Sequence, residues 1–122
     1  MKTPSEIIAL NPVARREVER LVLKCGVHAN LKGYSRLIDA VLLYSSTSYT
    51  LGELYRAIAE MHAIKPKTVI REISYALKQS HHIEKRLSEI IGSTFSSHEI
   101  HCGLVIAELA ALLHSRAASC TV

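Results

Sequence analysis

The stretch that most constrains this chain is Thr50 to Ser80, TLGELYRAIAEMHAIKPKTVIREISYALKQS. Two helical periods flank a break of about four residues, the connection of a helix-turn-helix. Thr50 and Glu53 form a capping box, in which the hydroxyl takes the third helical amide and the carboxylate reaches back. Leu51, Leu54, Tyr55, Ile58 and Met61 then recur on one face of a 3.6-residue helix. The break reads His62-Ala63-Ile64-Lys65. Pro66 opens the second helix, where a missing N–H deprives the helix of nothing. The same spacing predicts that this helix buries Val69, Ile73, Ala76 and Leu77.

Lys67, Thr68, Ile70, Arg71, Ser74 and Lys78 fall outside that buried stripe. Between Lys65 and Ser80 there are four basic side chains (Lys65, Lys67, Arg71, Lys78) and one acid, Glu72. A cationic helix of this length suits a major groove, where arginine pairs two-pronged with guanine and lysine meets phosphate. The competing reading is a solvated face of an ordinary helix pair. Two details depart from the commonest turn: Ala63 stands where glycine is frequent, and Glu72 stands near a position that is usually apolar.

A length of 122 residues suits one domain with a core of its own, and 48% apolar residues argue against disorder. The formal charge of +4 is compatible with an anionic partner. No apolar run is long enough for a membrane span, and no signal-peptide core is present, so a cytoplasmic protein is expected. Cys25, Cys102 and Cys120 are widely spaced and odd in number, so reduced thiols are expected.

Residues 1–10 read as a leader, with Ile7, Ile8 and Leu10 able to pack on residues 11–122, a single helical domain. Asn11 and Pro12 start a helix that buries Val18, Leu21, Val22 and Cys25 and ends at Gly26 in a left-handed turn. Residues 27–33 connect it to a helix over about Tyr34–Tyr44, burying Leu37, Ile38, Val41 and Tyr44, and Ser45-Ser46-Thr47-Ser48 breaks it. After the helix-turn-helix, Ile83, Leu87, Ile90 and Ile91 mark a short helix that stops at Gly92. Ser96 and Glu99 read as a second capping box for a last helix over about Ser97–Arg116. The result is an all-α fold, a compact six-helix bundle containing a helix-turn-helix. The last helix reads CGLVIAELAA from Cys102 to Ala111, apolar all round except at Glu108. Such a helix is either central to the core or part of a subunit interface, as in a two-fold dimer.

The run Gly26-Val27-His28-Ala29-Asn30-Leu31-Lys32-Gly33-Tyr34 resembles a signature of the C-terminal DNA-binding effector domain of the sporulation response regulator of endospore-forming bacteria. The likeness continues through Val69, Arg71, Ile73 and Ala76 to the last helix, covering roughly Asn11 to Arg116. It implies a six-helix fold whose fourth helix enters the major groove, with Arg71 matching the family's guanine-reading arginine. Two further base-contacting positions, an arginine and a glutamate in the family, are Thr68 and Ile70 here. These departures imply an altered or weaker sequence preference, although Ile70 can still touch a thymine methyl. The loop before the last helix looks shorter than the family's. The family's usual receiver domain does not precede this domain, so a stand-alone regulator not switched by phosphorylation there is expected. At the Lys32-Gly33-Tyr34 turn, Gly33 can bring backbone amides close to an anion and Lys32 can add a charge; a plain turn glycine is the other reading.

His98, His101 and Cys102 lie within a turn and a half of helix, but their spacing is not that of an established zinc finger. Histidines at a helix start serve more often as caps or surface groups, and these can also make a pH-sensitive surface. Glu84 and Glu89 among Lys85 and Arg86 read as ordinary pairing. No catalytic constellation stands out, and no enzyme, metal or cofactor is expected. The expected function is sequence-specific binding of double-stranded DNA for transcription regulation. Lys67, Thr68, Ile70, Arg71 and Ser74 face bases in that reading, and Lys65, Lys78 and Lys32 meet phosphates. A homodimer or tandem copies and a contact with RNA polymerase complete it. The alternative is an interaction module that keeps the fold, reads no bases and modulates a related regulator.

Overall fold

The computed structural model describes residues 3–96 and 99–120, with residues 116–120 described by backbone alone. Seven helices form among the described residues: α1 (Pro4–Ala9), α2 (Pro12–Lys24), α3 (Lys32–Ser46), α4 (Leu51–His62), α5 (Pro66–Lys78), α6 (Ile83–Ile91) and α7 (Cys102–Cys120). The fold is all-α. The additional helix is α1, in the expected leader: Thr3 accepts the Glu6 amide at 3.2 Å and Pro4 opens the turn. Ile7 and Ile8 pack on the core. Leu10 does not; it is 57% exposed.

Local chemistry sets the boundaries. Asn11 accepts the Ala14 amide at 3.0 Å and starts α2. Gly26, at φ 87°, closes it with Gly26 N–H donating to Leu23 and Val27 N–H to Val22. Helix α3 starts two residues before the expected Tyr34 and continues two beyond Tyr44. Rather than break it, Ser45 donates to the Leu42 carbonyl from inside the helix, and Thr47 to the Leu43 carbonyl just past its end. Tyr44 is half-buried against the core, not buried. The Thr50–Glu53 capping box forms as expected, with both bonds at 3.2 Å.

Helix α7 begins at Cys102. Ser96 and Glu99 form a turn instead of a helix cap: Glu99 N–H donates to the Ser96 carbonyl, and the Ser96 hydroxyl to the Glu99 carboxylate. Ser97 and His98 lie outside the described residues. His101 caps the helix, its Nδ1 accepting the Leu104 amide at 3.3 Å.

Helix α3 is central, packed against α1, α2, α4, α5 and α7. Around the α3–α7 pair, α2 packs with α6 and α4 packs with α5. Leu21, Leu37, Leu43, Leu54, Ile58, Ile73 and Ile106 are among the fully buried side chains. On α7, Cys102, Val105, Ile106, Leu109 and Ala110 are buried, whereas Leu104, Ala107, Glu108 and Leu112 are half-buried. Its apolar circumference therefore serves the core first and leaves a partly covered outer stripe. Among the described residues, every buried side-chain nitrogen and oxygen has a partner.

Candidate nucleic-acid interface

The turn between α4 and α5 is three residues, Ala63-Ile64-Lys65, with His62 still helical. Ala63 N–H donates to Glu60 and Ile64 N–H to Ala59, the paired bonds of a Schellman ending. This ending requires a left-handed residue, and Ala63 takes it at φ 54° without glycine's freedom. Ile64 then packs on the core. Lys65 flanks α5, and Pro66 occupies its first position.

Val69, Ile73, Ala76 and Leu77 are the buried residues of α5, as their spacing predicts. Lys67, Arg71 and Lys78 project from the opposite side and are exposed. No ion pair engages any of them among the described residues. Ile70 stands at the edge of this face, 37% exposed. Thr68 and Ser74 are half-buried. Ser74 turns toward the start of α7, its hydroxyl 3.0 Å from Cys102 Sγ. Burial pushes the Cys102 thiol above its usual range, an effect the Ser74 contact partly offsets.

The structure adds Tyr75 to this face. It is 54% exposed, four residues from Arg71 and three from Lys78, so the three share one surface of the helix. That register was readable in the sequence: Tyr75 lies outside the buried set on the same turns as the two cations.

Glu72, unexpected at a normally apolar position, is explained by α3. Arg36 Nε donates to Glu72 Oε1 at 3.2 Å, with both side chains largely buried. The acid of α5 is thus neutralised from behind while the cations in front meet no acid among the described residues. Gly33 belongs to the same crossing. A Cβ there would collide with the Glu72 carbonyl oxygen and lie 2.6 Å from Ala76 Cβ. Its role in the fold is close helix packing, and it is buried inside α3, not in a turn. Lys32, beside it at the helix start, is exposed.

His81, His82, His101, Lys78 and Cys102 line a cleft beside the end of α5. Among the described residues, no three His, Cys, Asp or Glu side chains converge as metal ligands. No helix among them is long and apolar enough to cross a membrane.

A helix-turn-helix whose second helix turns a cationic, unpaired face outward defines the general class of DNA-binding helical domains. Residues 18–111 match the family described as sporulation initiation factor Spo0A, C terminal. The chain belongs to that family, whose members are DNA-binding effector domains. Neither curated proteins nor solved structures produce a match.

Proposed function

We propose that this domain regulates transcription by reading duplex DNA with α5 in the major groove. The observation that carries the reading is the separation of charge on that helix: Lys67, Arg71 and Lys78 face outward while Glu72 is tied to Arg36 behind them. In this reading Arg71 pairs with a guanine edge, and Lys67, Thr68 and Ile70 complete the contact with bases. Ser74, half-buried at the edge of the face, joins them only by turning its hydroxyl away from Cys102. Lys65, Lys78 and Lys32 meet phosphates, and the exposed Tyr75 offers its hydroxyl to another. The partly covered stripe of α7 serves a second copy, and an occupied promoter is relayed through contact with RNA polymerase. A second reading, an interaction module that modulates a relative, draws support from Thr68 and Ile70 at positions where the family carries charge.

Selection of bound duplexes from a random pool tests the two readings together. A recovered motif with steep salt dependence is the expected result, because phosphate contacts release counterions. Replacing Lys78 by Ala should then reduce the salt slope by about 1. A pool that stays random at low salt, with a related regulator retained instead, would overturn the base-reading proposal.

A further inference from the structure

Arg36 holds both helices of the helix-turn-helix from a third. Its Nε donates to Glu72 in the middle of α5, and its Nη1 lies 3.3 Å from His62 Nε2, on the last residue of α4. The Arg36 and Glu72 side chains are only 14% and 16% exposed, so water screens this pair less than a surface pair. A guanidinium offers several donors in one rigid plane, which lets a single side chain reach two acceptors in fixed relative geometry. The His62 contact is a hydrogen bond only when Nε2 carries no proton, since arginine cannot accept. Asp39 stands beside the arrangement: its Oδ1 takes Arg15 Nη1 at 3.1 Å, while its Oδ2, 3.8 Å from His62 Nε2, lies beyond hydrogen-bond reach of a nitrogen that accepts from Arg36. Charged and polar groups of four helices thus lie side by side.

We infer that Arg36 is a positioning residue for the proposed reading helix, fixing how α5 is rotated against α4. Glu72 is the neighbour of Arg71 in sequence, so any rotation that moves one carries the other. A helix with its side chains is about 5–6 Å in radius and an extended arginine reaches further, so a rotation of about 10° shifts the Arg71 guanidinium by roughly 1 Å. Hydrogen-bond lengths vary by only about 0.5 Å, so a shift of that size breaks two-pronged contact with a base edge first. Contacts with phosphates, made by flexible lysines, tolerate the same shift. Loss of the clamp therefore lowers discrimination between sequences more than it lowers affinity for DNA in general. This rests on α5 being the helix that reads bases; the clamp itself does not.

Two measurements on the full chain separate these statements. The first is amide hydrogen exchange without DNA, comparing the parent with Arg36→Ala and Arg36→Lys. Exchange in α5 and the 63–65 turn should rise about tenfold more than exchange in α2 when the clamp is lost. Arg36→Lys, which keeps the charge but not the fork, should fall between. Equal acceleration in α2 and α5 marks general destabilisation and overturns the clamp. The second is binding to the selected duplex and to a scrambled one at a temperature where both variants are folded. Discrimination should fall about tenfold in Arg36→Ala, with affinity for the scrambled duplex changed less than about threefold. Undiminished discrimination, or equal loss on both duplexes, overturns the positioning role. A parent that does not discriminate sinks the reading of α5 itself, and hydrogen exchange then decides the clamp alone.

Discussion

Helices α2 and α5 are both amphipathic, each 13 residues long, and α2 is the richer in cations, with Arg15, Arg16, Arg20 and Lys24 against Lys67, Arg71 and Lys78. They differ in where the counter-charges sit. On α2, Arg15 pairs with Glu19 at 3.3 Å and with Asp39 at 3.1 Å, and Arg20 approaches Glu17 at 3.6 Å. On α5, the one acid turns inward to Arg36, and the outward cations meet no acid among the described residues. Counting cations along a helix therefore does not separate the two, since Arg16 and Lys24 on α2 also meet no acid among the described residues. What sets α5 apart is that its one acid is drawn to a neighbouring helix, so none of its outward cations meets a counter-charge among the described residues.

The largest effect in breaking this comparison should come from the seat of α5. Gly33→Ala puts a Cβ against the Glu72 carbonyl and Ala76, and overpacking of this kind should cost about 3 kcal/mol in denaturant unfolding. Gly52→Ala, on the exposed side of α4 with nothing nearer than 3.9 Å, should be neutral or slightly stabilising in the same assay.

The end of α2 supplies the next effect. Burial pushes the Cys25 thiol up to about 11 from 9.0, with the Arg86 charge offsetting part of the shift. The folded state holds the proton more tightly than the unfolded state does. Stability should therefore be level below pH 9 and fall as the pH rises toward 11, by about 2–3 kcal/mol in all. Unfolding measured across that range should show the decline, and Cys25→Ala should flatten it. A profile unchanged by the substitution would show that other groups, such as Tyr55 with its hydroxyl pushed up to about 12, govern alkaline unfolding.

The direct contrast between the helices is smaller still. Arg71→Ala should weaken binding to a selected duplex by about 1–3 kcal/mol and relax preference at one base pair. Arg20→Ala, an exposed member of a paired face, should change binding by no more than about 0.5 kcal/mol. Similar losses from both would erase the distinction. Smallest of all, Ala63→Gly should relieve the left-handed turn residue and raise stability by about 0.5–1 kcal/mol, read as a shift in thermal midpoint.

The buried stripe of α5 was legible because helical periodicity and Pro66 act within a few residues of one another. The α4 capping box and the Gly26 ending are equally local. The short helix α1 was missed: Thr3, Pro4 and Glu6 carry a start signal, but six residues of helix are marginal alone and are held here by Ile7 and Ile8 packing on the core. The start of α7 was misplaced because Ser96 and Glu99 match a cap pattern that a single turn satisfies equally well. Glu72 looked out of place because its partner, Arg36, lies 36 residues away and no local rule connects them.

The chain's own order of residues determines its helices, their caps and the stripe each one buries, since these depend on bonds and spacings within one or two turns. Tertiary structure alone decides which cations remain uncompensated, why Gly33 admits no side chain, and how Arg36 joins α4 to α5. Those outcomes depend on helices meeting across long separations, where packing distance and charge neutralisation are settled by the partner helix and not by the segment itself.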